Sequence, residues 1–189
     1  MGLVVIPIAG SVLSGGTHGI LKDFLIVLNA FSWGAGFLLY ISLHAIALYR
    51  FIIHRPLPSV LAPTIWINLG PVGAGAISLL SLVGLIDPNL QEITSFACFL
   101  LWGLGMWWAV VGTVLILNHI IKEKMEFAMS WWAFTFPLGA FTALCHTLAE
   151  VYGNRLLDSI GFFLFWALLF IWVVVFSKSL ERNFKTLLR

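Results

Sequence analysis

The sequence predicts an all-α membrane protein whose helices cross the bilayer up and down as hairpins. Of its 189 residues, 61% are hydrophobic and 10% are charged, and the mean hydropathy is +1.04. Soluble domains are about 45–50% apolar and about 25% charged, so ten basic and eight acidic side chains are too few to cover a water-facing surface. The composition therefore excludes a soluble enzyme, and the net charge of +2 with no basic run excludes a nucleic-acid partner. The expected partner is the lipid bilayer.

Charge-free stretches define the individual segments. The first, Leu3 to Leu13, is apolar but too short to span alone, and we interpret it as the end of a helix rather than a targeting sequence. Each longer stretch can cross a hydrocarbon core of about 30 Å at about 1.5 Å per residue. Runs such as Phe162–Phe165 do not alternate as barrel strands would, so these segments are predicted to be helices. Five longer stretches lack Asp, Glu, Lys and Arg: 24–49, 56–86, 93–121, 127–149 and 159–177.

The basic residues predict the orientation of these segments. Short cytoplasmic loops carry an excess of Lys and Arg. Only Lys22 and Arg155 lie in the connections on one side. The other side carries eight basic residues: Arg50, Arg55, Lys122, Lys124, Lys178, Arg182, Lys185 and Arg189. We therefore expect a multi-pass protein of the plasma membrane with a cytoplasmic C-terminus.

Three prolines mark a repeated hairpin. Pro7, Pro71 and Pro137 lie in segments one, three and five at spacings of 64 and 66 residues, whereas segments two, four and six contain no proline. A glycine follows each proline within three residues: Gly10, Gly73 and Gly139. Proline lacks a backbone N–H and breaks a helix, and freed backbone at membrane depth is tolerated only beside protein or water. The odd segments are therefore predicted to form an inner ring around a cavity, with the even segments facing lipid.

A pore of this kind suggests passive conduction of anions. No Asp, Glu, Lys or Arg lies inside a span, which argues against a voltage sensor and a proton relay. Apolar walls and loosened backbone would bind anions weakly and release them easily. Phe136 immediately precedes Pro137 and is a candidate plug, although Phe134 or Phe141 could face inward instead.

No cofactor or metal is predicted. His44 and His119 lie near helix ends without a matching partner at equal depth, and no haem-attachment motif is present. Cys98 and Cys145 lie within apolar spans and have no metal-binding spacing. No nucleophile–base set is present either, so we predict no enzymatic activity.

Two motifs carry a resemblance to a known family. They are Trp131-Trp132-Ala133-Phe134-Thr135-Phe136-Pro137-Leu138 and Trp66-Ile67-Asn68-Leu69-Gly70-Pro71-Val72-Gly73. The chain resembles the tellurite-resistance/dicarboxylate transporter family, which includes the bacterial tellurite-resistance protein TehA, fungal malate permeases and sulfite exporters, and plant slow anion channels. This resemblance implies ten helices arranged as five hairpins around a central pore, a phenylalanine gate on the ninth helix, and a homotrimer with one pore per protomer.

The resemblance also implies roles for particular residues. Phe136 matches the gate, and the odd segments would line the pore with their kink residues: Pro7, Gly10, Gly70, Pro71, Gly73, Pro137 and Gly139. Residues 1–189 would form a single transmembrane domain that lacks the family's first four helices. The expected function is transport of small anions: a C4-dicarboxylate such as malate, sulfite, a tellurite-related oxyanion, or chloride and nitrate. A proton-coupled carrier of these anions and a non-transporting scaffold or haem-anchoring subunit remain alternatives.

Overall fold

A computed structural model describes residues 2–54, 57–123 and 125–187. Arg55, Lys124 and Arg189, which contribute to the orientation prediction, lie outside these residues. Short 3₁₀ segments cover Ser59–Asn68, Pro88–Leu90 and Met129–Phe134. The described chain contains six α-helices: α1 (Gly2–Gly15), α2 (Ile20–Ile53), α3 (Leu69–Ile86), α4 (Gln91–Glu123), α5 (Thr135–Tyr152) and α6 (Arg155–Leu187).

Four of the five longer charge-free stretches correspond to helical spans. Within the described residues, four helical stretches are long and apolar enough to cross a membrane, namely Ile20–Ile53, Ser59–Ile86, Pro88–Lys122 and Arg155–Lys185. The helix Gly2–Gly15 is shorter, as the sequence predicts. The fifth segment, which comprises a 3₁₀ turn and α5, is not among the four. The predicted all-α, multi-pass architecture is confirmed.

The proline repeat has a structural counterpart. Helices α3 and α5 each contain 18 residues and follow a 3₁₀ segment, and Pro71 and Pro137 are their third residues. The first N–H groups of an α-helix have no partner within that helix, so a proline there loses no α-helical bond. The predicted break thus takes the form of a change from 3₁₀ to α geometry just before each proline. Pro7, in contrast, lies inside the continuous helix α1.

The hairpins pack in two layers. Each odd helix contacts the even helix that follows it, and α3 also packs against both α1 and α5. Every residue from Leu69 to Ala76 of α3 is buried, whereas most of α6 is exposed. The odd helices α1, α3 and α5 therefore pack in a row with α3 buried in the middle, and the predicted cavity within a ring of odd helices stays a prediction.

Side-chain donors bond backbone carbonyls across these helix contacts. Ser78 of α3 donates its hydroxyl to the carbonyl of Val4 in α1 at 2.6 Å. Trp33 of α2 donates its indole N–H to the carbonyl of Gly75 in α3 at 2.8 Å. Trp108 of α4 is 1% exposed and bonds the carbonyl of Ile65, in the 3₁₀ segment before α3, at 2.9 Å. Such bonds satisfy polar groups that neither lipid nor apolar core can pair.

We name the two ends of the bundle by their charge. Arg50, Lys122 and Lys185 lie in the last turns of α2, α4 and α6, and we call this the basic end. Helices α3 and α5 begin at the basic end, because each hairpin reverses the chain direction. The turns after α1, α3 and α5 lie at the opposite end.

Candidate functional site

Helix α5 has one open face. Residues three and four positions apart share a face of an α-helix, and a row of exposed and half-exposed positions of α5 follows this spacing from Phe136 to Glu150. We call this face the α5 stripe. It consists of Phe136, Ala140, Ala143, Thr147 and Glu150.

The other faces of α5 pack against neighbouring helices. Gly73 of α3 lies so close to α5 that a Cβ added there would be 2.5 Å from the carbonyl carbon of Ala140. The ring of Phe141 lies directly over Gly105 of α4. Helix α6 covers a further side as the second half of the same hairpin. The α5 stripe is the side of α5 that these contacts cover least, with the backbone of Ala140 against α3 and the ring of Phe136 beside α6.

The chemistry of the α5 stripe changes along its length. At about 1.5 Å per residue, it runs for about 21 Å, with an aromatic ring near the basic end and a carboxylate at the opposite end. Small residues separate them, and the hydroxyl of Thr147 donates to the carbonyl of Ala143 at 3.0 Å. The stripe contains no Lys or Arg, so it carries no fixed cation that would hold an anion tightly.

Helix α3 carries a hydroxyl at the position equivalent to Thr147. A shift of 66 residues, the spacing between Pro71 and Pro137, relates Ser81 to Thr147. Ser81 is half-buried, and its hydroxyl donates to the carbonyl of Ile77 at 3.0 Å, as Thr147 does to the carbonyl four residues before it. Gly70 takes the place of Phe136, so only α5 presents a bulky ring at this level. Neither hydroxyl was predicted from the sequence, although the 66-residue spacing of the prolines also relates Ser81 to Thr147.

Phe136 is the exposed member of the three candidate phenylalanines. It is 53% exposed, whereas Phe134 is 8% and Phe141 is 0% exposed. The ring of Phe134 packs edge-on against the rings of Trp66 and Trp131, with centroids 5.5 and 6.2 Å apart. Phe136 lies beside Phe165, Leu168, Leu169 and Trp172 of α6, in a shallow depression. Its position permits a role as a gate, which stays a prediction.

The glycines predicted to line the pore contact neighbouring helices. The side chain of Asn29 in α2 lies against the Cα of Gly10, where it leaves no room for a Cβ. Gly73 contacts α5 as described above, and a Cβ on Gly139 would lie 3.5 Å from Leu168 of α6. These residues bring helices together, and their contribution to a pore wall stays a prediction. Four further kink residues are buried: Pro7, Gly70, Pro71 and Pro137.

The two histidines considered for a cofactor, His119 and His44, have different surroundings. The ring nitrogens of His119 lie 2.8 and 2.9 Å from the carbonyl oxygens of Leu115 and Leu57. The ring of His44 packs between those of Tyr40 and Trp108 in the core. Among the residues that the structure describes, no three His, Cys, Asp or Glu side chains are grouped to hold a metal ion.

Comparison with known proteins identifies the family. Residues 1–180 match the family described as "Voltage-dependent anion channel". The chain belongs to this family. It is 44% identical over 184 residues to an uncharacterized transporter of Methanocaldococcus jannaschii, covering 96% of this chain and 54% of that protein. It is 24% identical over 202 residues to a sulfite efflux pump of Trichophyton rubrum, covering 95% of this chain and 53% of the pump.

This membership confirms the resemblance carried by the two motifs. The family consists of channels and transporters rather than enzymes, which agrees with the absence of a predicted catalytic set. The chain spans about half the length of the curated relatives it matches. No solved structure matches it significantly.

Proposed function

We propose that this member of the voltage-dependent anion channel family contributes a path for small anions through the membrane, along the α5 stripe. The single observation that carries the proposal is the open face of α5, with Phe136 near one end and small residues behind it. Family membership and the sulfite efflux activity in the name of a relative support anions as the substrates. The candidate anions are sulfite, a C4-dicarboxylate such as malate, a tellurite-related oxyanion, chloride and nitrate.

The chemistry of the α5 stripe favours weak binding and rapid release. A pore without fixed cations selects by diameter and by partial charges rather than by a strong binding site. The hydroxyls of Ser81 and Thr147 are dipoles at equivalent levels of two inner helices. Each now donates to its own helix, and a rotation about χ1 would turn it toward a passing anion. The buried prolines and glycines set the shape of this path by letting the inner helices approach closely.

Phe136 is proposed to close the path near the basic end. Its ring is bulky and exposed, while the equivalent position of α3 is Gly70. A rotamer change of one aromatic ring can open a narrow apolar constriction, because a wider gap is more readily filled by water. The backbone on its N-terminal side is a 3₁₀ turn rather than α-helix, which offers weaker resistance to small adjustments.

Flux measurements test the role of Phe136. The protein is reconstituted in liposomes, and the efflux of chloride, nitrate, sulfite and malate is followed for the wild type and for Phe136→Ala. We expect the variant to increase efflux severalfold because the ring no longer blocks the path. Phe163→Ala is the matched control, since Phe163 is 71% exposed on the outer helix α6. Equal flux for a correctly folded Phe136→Ala protein would remove the gate assignment.

The same assay separates a channel from a proton-coupled carrier. For a passive path, an imposed pH gradient leaves the chloride and nitrate flux unchanged at constant membrane potential. A flux that follows the pH gradient would favour a coupled carrier.

We further propose the arrangement of the protein in the membrane. The basic end faces the cytoplasm of the plasma membrane, following the excess of Lys and Arg there. The six helices correspond to the last six of the family's ten, within one transmembrane domain. The protein assembles as a homotrimer, in line with the resemblance to the bacterial family member.

A further inference from the structure

An apolar groove separates the outer helices α4 and α6 in the half of the bundle nearest the basic end. Its volume is about 220 Å³. Ile116 and Ile120 of α4 form one wall, and Val174 and Val175 of α6 form the other. The floor includes Trp66 and Trp131 from the 3₁₀ segments that precede α3 and α5. Both walls of this α4–α6 groove are formed by described residues.

The size and lining of the α4–α6 groove suit a hydrocarbon chain. An apolar cavity of about 150 Å³ stays dry and binds small hydrocarbons, and this groove is larger. Its rims are exposed, since Phe170 is 71% and Leu117 is 49% exposed. In a membrane-spanning helix, such exposed apolar rims face lipid acyl chains. The groove is therefore continuous with the lipid-facing surface.

Two buried polar atoms of tryptophans that line the groove lack a partner. The indole nitrogens of Trp66 and Trp131 are buried, and within the part of the chain that the structure describes neither N–H has an acceptor. A buried N–H without an acceptor is unfavourable, and tryptophans near a membrane interface pair with polar groups there. The ester carbonyl oxygens of a glycerolipid are acceptors at the level where its acyl chains begin.

A basic side chain extends the same face of α6. Residues 171, 174, 175 and 178 follow helical spacing, and the first three line the groove. Lys178 is therefore on the groove side of α6, toward the basic end, and it is exposed. An ammonium group in this position complements the phosphate of a lipid whose acyl chain occupies the groove.

We propose that the α4–α6 groove binds one anionic glycerophospholipid. One acyl chain lies between α4 and α6, and the phosphate lies near Lys178. The Trp131 ring turns its buried N–H toward the groove, where an ester carbonyl of the lipid accepts the hydrogen bond. This site is separate from the α5 stripe, and it does not depend on anion transport.

Native mass spectrometry tests the acyl-chain part of the proposal. The purified protein is released from micelles that contain equal amounts of phosphatidylglycerol and phosphatidylcholine with identical acyl chains. The wild type retains one phosphatidylglycerol. Val174→Trp fills the groove and lowers the retained fraction about tenfold, because it removes the buried contacts of several methylene groups. Val173→Trp is the matched control, because Val173 does not line the groove and is 48% exposed.

Charge and donor variants test the head-group part. Lys178→Gln removes the preference for phosphatidylglycerol over phosphatidylcholine but leaves a lipid bound. Arg155→Gln, at the exposed opposite end of α6, keeps the preference. Trp131→Phe keeps the ring, removes the donor and weakens retention of ester lipids more than that of ether lipids.

Three results would overturn the proposal. The first is wild-type lipid retention by Val174→Trp. The second is loss of a protein oligomer by that variant with no change in bound lipid, which would identify the groove as a contact between copies. The third is an unchanged preference for phosphatidylglycerol in Lys178→Gln. This result decides the proposal if Val174→Trp alters the circular dichroism spectrum and so does not fold correctly.

Discussion

Phe136 and Phe141 lie five residues apart on α5, yet their surroundings are opposite. Phe141 is fully buried over Gly105, and Phe136 is half-exposed on the α5 stripe. The composition of the segment does not distinguish these rings, since both belong to an apolar run. Their difference allows effects on stability and effects on conduction to be separated.

Truncation of these two rings should affect stability differently. We expect Phe141→Ala to lower the free energy of unfolding by about 3–5 kcal/mol, because it leaves a cavity at a fully packed site. Phe136→Ala should change it by less than about 0.5 kcal/mol, as for an exposed substitution. Denaturant titration in detergent micelles, followed by tryptophan fluorescence, measures both. A large loss of stability in Phe136→Ala would show that its ring is part of the core.

The paired hydroxyls give a second prediction at this scale. Ser81→Ala and Thr147→Val each remove a dipole at the same level of the proposed path. We expect the double variant to change the ratio of nitrate to chloride efflux, because the less strongly hydrated anion depends less on polar groups in the wall. Ser159→Ala is the control: Ser159 is exposed on α6, and its hydroxyl makes the same kind of bond, to the carbonyl of Arg155 at 2.9 Å. An unchanged ratio would exclude these hydroxyls from the path.

At the scale of elements, the contact between α3 and α5 determines how close the inner helices lie. It occurs where Gly73 meets the backbone of Ala140, so the obstacle to a larger residue is main chain rather than a movable side chain. Close approach of this kind is typical of membrane helices, which associate through small residues. Both helices also begin at equivalent residues, 66 positions apart.

A methyl group at Gly73 should push these helices apart. We expect Gly73→Ala to lower the free energy of unfolding by about 1–3 kcal/mol, the usual cost of overpacking. Gly103→Ala is the control. Apart from the neighbouring backbone of α4 itself, no atom of the described residues lies within 4 Å of the position that its Cβ would take. That control should be neutral or slightly stabilising, since alanine favours helix by about 1 kcal/mol over glycine. Equal stability of the two variants would contradict the close contact.

For the whole molecule, the asymmetry of charge predicts a single orientation. Lys122 lies at the basic end, and Arg155 lies at the opposite end beside Asn154 and Asp158. Positive residues remain on the cytoplasmic side during insertion. The two native cysteines, Cys98 and Cys145, are 0% exposed and should not react with a polar reagent.

Labelling with a membrane-impermeant maleimide tests this orientation. We expect Arg155→Cys to react in intact cells and Lys122→Cys to react only after the membrane is permeabilised. The unsubstituted protein serves as the control for the native cysteines. The reverse pattern would place the basic end outside, and labelling of both positions in intact cells would indicate mixed insertion.

Composition, charge and proline spacing predict four of the spans, the order of the hairpins and the interior position of α3. Span boundaries depend on the transfer free energy of each residue, which is a local property, so the charge-free stretches predict α2, α4 and α6 well. The spacing of Pro71 and Pro137 likewise predicts the equivalence of α3 and α5. The 3₁₀ turns before these prolines were not predicted beyond a break in the helix.

The open face of each helix, in contrast, depends on tertiary contacts. Lipid tails are as apolar as a protein core, so an apolar side chain such as Phe136, Phe141 or Val174 has a similar transfer free energy in either place. The hydrophobic pattern therefore contains little information about which side of a helix faces the protein and which faces lipid. The orientation of each helix instead depends on packing against particular neighbours, such as Gly73 against Ala140. These contacts join residues that are far apart in the chain.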